Sequence, residues 1–192
     1  VPFLKFLANH SDSLLYGVSK SHFVVASTKD SIIYVVDTKN LNVKNITSLH
    51  YSIFDVETSK YWFSTTGLEN STNIYSLTGQ NRAQFSIQSY RDKVTCSCIN
   101  DTFQVHLLGT HDCTIMVTSL SNGKSDRIID LGNVIPINVT VSPTWGFIVV
   151  HGKSYEEGVL NHFLCVYTIN GIPIRKTKIC SDFVLWTVWG SP

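Results

Sequence analysis

The chain has 192 residues, 43% of them hydrophobic and 15% charged, with a formal net charge of +1. That balance excludes a disordered chain and gives no bulk attraction toward nucleic acid or anionic lipid. No apolar run approaches the roughly 18 residues that a membrane-spanning helix needs. The N-terminal stretch VPFLKFLANHSDS is apolar, but its one early charge is Lys5 and no clean small-residue cleavage site follows. It does not read as a signal peptide. The sequence opens at Val1 without a Met, which reads as a piece of something longer.

Apolar and polar residues alternate along most of the chain. In KVTCSCI (93–99), Val94, Cys96 and Cys98 share one face and Thr95 and Ser97 the other. IIYVVDT (32–38) and TIMVTSL (114–120) are rich in β-branched residues, and no capped 3.6-residue pattern competes. Short runs of this kind, cut by turn signals, predict an all-β fold.

The strands repeat. ASTKDSIIYVV (26–36) and LGTHDCTIMVT (108–118) both run from a strand through Thr-x-Asp into a β-branched strand. Asp30 and Asp112 are 82 residues apart, twice 41, and Val94 and Ile137 open equivalent strands 43 apart. A period in the low forties is one four-stranded propeller blade. In chain order the register predicts a first blade at 3–8, 14–19, 22–28 and 32–38, and a second at 43–49, 52–57, 61–67 and 72–78. A third follows at 83–89, 93–99, 104–110 and 114–120, and a fourth at 126–132, 136–142, 147–153 and 163–169. The last hairpin of the fourth carries an insertion, SYEEGVLN, and PIRKTKI with FVLWTV opens a fifth blade. The whole of 1–192 is thus a β-propeller segment, with blades over 3–38, 43–78, 83–120 and 126–169 and a partial one over 173–192. The second blade fits least, because its GLENST turn lacks Thr-x-Asp.

GTHDCT (109–114) sets His, Asp and Cys side by side, residue types that catalytic sites use. The repeat makes it a tight turn, with Asp30, Gly109, Asp112 and Thr114 as structural turn residues. An Asp there accepts hydrogen bonds from nearby backbone N–H groups. Its loss is expected to cost about 1–3 kcal/mol. A Cys-His pair would need both side chains convergent in a cleft with an orienting group, and the sequence identifies none.

The five cysteines, Cys96, Cys98, Cys113, Cys165 and Cys180, are odd in number and lack C-x-x-C zinc spacing, so they read as reduced thiols of a cytosolic protein. Sequons stand at Asn45, Asn70, Asn100 and Asn138 and matter only if the chain is secreted.

Period, strand pattern and turn together resemble a WD-repeat β-propeller. The signature itself differs: Val36-Asp37 and Thr118-Ser119 stand where Trp-Asp is typical, and SYRDK replaces the Gly-His pair before VTCSCI. VTCSCINDTFQVHLLGTHDCTIMVTSLSNG, the following INVTVSPTWGFIVVHGK and the strand ending VYTINGIPIRKTKI resemble more narrowly the C-terminal propeller of BEACH-domain proteins, the neurobeachin and beige group. That likeness covers roughly residues 85–180, and the first 80 by pattern only.

The resemblance implies a cytosolic scaffold in vesicle and membrane traffic, peripheral on vesicle or endolysosomal membranes, with no catalysis and no cofactor. It implies protein partners on the propeller faces and BEACH and pleckstrin-like domains upstream. Loop residues that could contact a partner are Lys29, Glu69, Arg91, His111, Trp145, Tyr155 and Glu156, each weighed against an ordinary solvated loop residue. Trp62, Trp186 and Trp189 fall in or beside strands and are expected in the core, whereas Trp145 sits in a Pro–Gly turn. An enzyme would need convergent carboxylates, and here they scatter singly among turns. The near-neutral charge disfavours a nucleic-acid partner. The remaining alternatives are a generic WD-repeat scaffold subunit and a secreted propeller. An open fragment also leaves strand edges unpaired and is expected to associate.

Overall fold

A computed structural model describes residues 14–27, 32–46, 53–67, 70–77, 85–88 and 92–179, all of them in strands, turns and short connections. The all-β reading therefore holds over the described residues. The chain divides into two units, Val1–Tyr90 and Arg91–Pro192.

In the first unit, β1 (Leu14–Val18), β2 (His22–Ser27), β3 (Ile33–Asp37) and β4 (Val43–Ile46) form one antiparallel sheet in sequential order. A second such sheet holds β5 (Ile53–Thr58), β6 (Trp62–Gly67), β7 (Ser71–Ser76) and β8 (Phe85–Gln88). Val24, Ala26, Ile33 and Val35 from the first pack with Ile53, Val56, Phe63 and Tyr75 from the second. The Phe63 and Tyr75 rings stack at 4.7 Å. Trp62 is half-buried, 6.2 Å from the Phe85 ring. Trp186 and Trp189 lie outside the described residues.

In the second unit, β9 (Val94–Asn100), β10 (Val105–Thr110), β11 (Thr114–Ser119) and β12 (Ser125–Asp130) form the third sheet. The fourth holds β13 (Ile135–Val141), β14 (Phe147–Glu156), β15 (Val159–Thr168) and β16 (Pro173–Ile179). Their shared core includes Leu107, Ile115, Val117, Val139, Ile148, Val150 and Cys165. Hydrophobic burial of such side chains is the main force holding two β-sheets face to face.

Strand grouping differs from the expected register by one strand. β4, β8 and β12, read as first strands of new blades, pair instead with β3, β7 and β11. Pro173–Ile179, read as the start of a fifth blade, is the outer strand of the fourth sheet, paired to β15. A repeat period reports spacing and leaves open where hydrogen bonding between strands begins. The expected strand 3–8 and residues 183–188 lie outside the described residues.

One local device recurs in all four sheets. A Ser or Asn at or just after the end of the first strand accepts the N–H of a residue three positions on. These pairs are Ser19 with His22 (3.1 Å), Ser59 with Trp62 (3.1 Å), Asn100 with Phe103 (3.0 Å) and Ser142 with Trp145 (3.4 Å). Side-chain acceptors of this type offer the backbone a turn in place of a continued strand. At the third-to-fourth-strand turns a similar job falls to the last residue of the third strand. Asp37 accepts from Lys39 N–H at 2.8 Å, Ser119 from Ser121 N–H at 3.3 Å and Thr168 from Ile172 N–H at 3.1 Å. The bond from Lys39, first among its causes, holds the Asp37 carboxyl below the usual range.

Candidate functional site

The 109–114 stretch resolves into a strand end and a turn. Gly109 belongs to β10 and not to the turn. It lacks a side chain because β9 and β13 crowd it: a Cβ there would lie 2.5 Å from Cys96 Sγ and 2.9 Å from Pro136 Cγ. The turn itself is closed by Cys113 N–H on the Thr110 carbonyl at 3.1 Å, with Cys113 at φ 64°. His111 N–H goes to the Lys93 carbonyl at 2.8 Å.

Those backbone donors are already engaged, so Asp112 is served by hydroxyls and not by the expected N–H groups. Both Thr110 and Thr114 donate to Asp112 Oδ1, the latter at 2.9 Å. The two hydroxyl oxygens are themselves 2.7 Å apart. Thr110 and Thr114 are buried, while Asp112 is exposed. In Asp112→Ala, water reaches the turn and the two threonines still have each other. The expected cost is therefore about 1 kcal/mol, at the low end of the range from sequence. Urea denaturation measures it, and a loss above about 3 kcal/mol would show the carboxylate holding more than this turn. Asp30 lies outside the described residues.

No dyad forms here. His111 Nδ1 faces Asp92 Oδ2 at 3.6 Å, with the side chains 58% and 44% exposed. An exposed pair of this kind contributes on the order of 0–1 kcal/mol. Asp92 stands just before β9, and His111 stands beside Asp112 in the turn. Cys113 Sγ makes a weak hydrogen bond to the His111 carbonyl at 3.9 Å and packs against the core of the second unit. Burial first, then the Asp112 and Asp130 charges, push its thiol up, which opposes formation of a nucleophilic thiolate.

The other contact candidates divide between two rims of the fourth sheet. Trp145 is 68% exposed in the β13–β14 turn, near Ile172, 61% exposed, in the β15–β16 turn at the same end. Tyr155 and Glu156 lie at the far end of β14, a 10-residue strand roughly 33 Å long. The fold thus separates Trp145 from Tyr155. Lys29, Glu69 and Arg91 lie outside the described residues.

The Tyr155 end is the more built of the two. Among the described residues β13 accompanies β14 only from Lys153 back, and β16 accompanies β15 only from His162 on. Among the described residues, 154–161, the expected insertion, thus form a two-stranded ribbon closed by Glu157 and Gly158, both at positive φ. Tyr155 is 63%, Val159 59% and Leu160 43% exposed, and Tyr155 pairs directly with Leu160. A cleft of about 560 Å³ is lined by Glu156, Glu157, Val159, Asn161 and Lys178. The ribbon is braced at its base. Asn133 Nδ2 donates to Glu156 Oε1 at 3.0 Å, and Lys176 Nζ donates to Asn133 Oδ1 at 3.1 Å. Val159 and Leu160 escaped the sequence reading, although VL beside EEG at a hairpin tip is a legible signal of exposed apolar residues. Among the described residues no group of three or more His, Cys, Asp or Glu could hold a metal ion.

Four-stranded antiparallel sheets, each in sequential order, define the class: an all-β protein of the WD-type β-propeller fold. No family model and no curated protein matches the chain. Among solved structures it is similar to a chain in a crystal structure of the mitotic checkpoint complex, with a TM-score of 0.68 at 9% identity. The likeness covers 86% of this chain and 50% of that one, so this chain spans about half the length of the protein it matches. At that identity the likeness carries the fold alone.

Proposed function

We propose that the chain is a non-catalytic protein-interaction module whose contact surface is the 154–161 ribbon. The observation that carries this reading is the set of exposed Tyr155, Val159 and Leu160 on a braced ribbon beside an acidic cleft. Apolar and aromatic side chains grouped on a rigid projection are the usual anchors of protein interfaces. A photo-reactive phenylalanine at position 155 should capture a discrete protein in cells, and one at Ser125, on the outer edge strand β12, should not. Equal capture at both positions would refute the ribbon as the contact surface.

A finer reading rests on the sequence resemblance over roughly 85–180: this is the C-terminal propeller of a BEACH-type protein. It would then act in the cytoplasm on vesicle or endolysosomal traffic, with BEACH and pleckstrin-like domains upstream. Sequencing the transcript 5′ of the Val1 codon tests it. A BEACH domain there supports the reading, and a start codon with nothing upstream removes it.

A further inference from the structure

We propose that the cleft beside the 154–161 ribbon holds the C-terminal residue of a partner protein, an arginine or lysine with its free carboxylate, a step that rests on the ribbon being a contact surface. The two faces of the ribbon differ. Cross-strand partners share a face, so Tyr155 and Leu160 lie on one, and Ser154, Glu156, Val159 and Asn161 on the other. Phe163 and its partner Lys178 on β16 continue the second face. The cleft of about 560 Å³ is lined among the described residues by Glu156, Glu157, Val159, Asn161 and Lys178. It therefore belongs to the second face, and Tyr155 to the first.

The charges of the cleft are separated. Lys178 stands level with Phe163, and Glu156 level with Val159, four residues along β15 or roughly 13 Å away. The neighbouring lysine is already engaged: Lys176 Nζ lies 4.9 Å from the Phe163 ring centre and donates to Asn133 Oδ1 at 3.1 Å. Among the described residues, neither the Lys178 ammonium nor the Glu157 carboxylate has an ion-pair or hydrogen-bonding partner. Asn133 holds Glu156 by Oε1 at 3.0 Å, which leaves Oε2 for a ligand. One end of the cleft thus offers a single cation and the other two carboxylates. Polar groups lie between them. Asn161 is buried and donates to the Val159 carbonyl at 3.4 Å, a long bond that a ligand main chain can replace with a shorter one. Opposite Asn161, Ser154 is 2% exposed, and its hydroxyl has no partner among the described residues. A buried polar atom left in this way marks a place where a ligand or water completes the bonding.

The occupant must match that polarity. A single lysine suits one carboxylate, and two carboxylates suit a guanidinium or an ammonium, which donate several N–H bonds at once. Val159, 59% exposed beside Glu156, suits the aliphatic stem of a basic side chain. An extended arginine or lysine with a hydrogen bond at each end covers most of the separation, and the length of the Lys178 and glutamate side chains covers the rest. The reverse ligand, an N-terminal ammonium with an acidic side chain, is too short for that span. A basic residue inside a chain brings no carboxylate of its own to Lys178.

Fluorescence anisotropy of the full chain with the N-terminally labelled peptide Gly-Ser-Gly-Ser-Arg, its carboxylate free, tests the proposal. The expected result is saturable binding below about 1 mM. The C-terminal amide of the same peptide should bind at least tenfold more weakly, and so should the free acid ending in Glu. Lys178→Gln should weaken binding of the acid at least tenfold and remove its preference over the amide. Glu157→Gln should weaken acid and amide together. Both positions are exposed, and unchanged melting of each variant checks that it folds. Absence of binding up to about 1 mM would overturn the proposal, as would equal affinity for acid and amide or a preference that survives Lys178→Gln. Capture through position 155 reads the other face of the ribbon. If it persists while the peptide fails, the C-terminal ligand falls and the contact surface stands. If it is lost while the peptide binds as expected, the cleft stands and the Tyr155 face falls.

Discussion

Replacing Gly109 with Val should lower the stability of the second unit by about 3 kcal/mol or more. The new side chain has no room. Its Cβ alone would sit 2.5 Å from Cys96 Sγ and 2.9 and 3.0 Å from two carbons of the Pro136 ring. The Cys96 thiol can rotate aside, but a proline ring fixed in strand β13 cannot. β13 would have to withdraw from β10, opening the core around Leu107 and Val139. The β-branched side chain suits a strand in isolation, so any destabilisation measures packing alone. Gly158→Ala is the matched control: nothing lies within 4 Å of its Cβ position, and φ of 78° leaves only the left-handed strain, about 1–2 kcal/mol. Urea unfolding followed by fluorescence compares the two. A Gly109→Val loss no larger than the control's would mean that the third and fourth sheets do not meet at this glycine.

Acidification below about pH 4.5 should weaken the fold, and His106 is the first cause. The residue is fully buried in β10, opposite Thr118, and neither ring nitrogen has a hydrogen-bonding partner among the described residues. Burial pushes its pKa down from 6.5 to about 3. Between those values the unfolded chain binds a proton that the folded chain refuses. Stability is therefore full above pH 6.5 and falls as pH drops toward 3, by up to about 1.4 kcal/mol per pH unit. Burial, with His162 beside it, also pushes His151 down and adds to the same limb.

Glu57 acts with the opposite sign. Burial, and then the charge of Asp55 two residues away on β5, push its carboxyl up to about 8. The folded state holds that proton longer than the unfolded chain, so stability is full below about pH 4.5 and is lost as pH rises toward 8. The two groups oppose each other between about pH 4.5 and 6.5, so melting temperature measured from pH 3 to 8 should be level there and fall on both sides. His106→Leu should flatten the acid limb and leave the alkaline one, and Glu57→Gln should do the reverse. Melting curves of His106→Leu that parallel the unsubstituted chain below pH 6.5 would show that this histidine is not the group that titrates.

Much of this fold was legible in the residues. Alternation in KVTCSCI and the β-branched runs mark strands because a strand presents successive side chains to opposite faces, a local property. The low-forties spacing marks a repeated four-stranded unit for the same reason. A second trace of that repeat, Ser or Asn followed at the third position by His, Trp, Phe and Trp, stands at 19, 59, 100 and 142 and went unread. Its meaning is a side-chain bond to a backbone N–H, which residue names alone do not display.

Three matters were decided only in three dimensions. Which sheet each fourth strand joins depends on hydrogen bonds between strands, and a period has no origin. The reason for Gly109 lies with Pro136, 27 residues further on and in another sheet. The Asp112 carboxylate found hydroxyls because the nearby N–H groups had already been taken by Thr110 and Lys93. The sequence by itself determined strands, turns and their spacing, since those depend on neighbours along the chain. Pairing, close approach and exposure were left to the tertiary structure, because each depends on residues that meet only after folding.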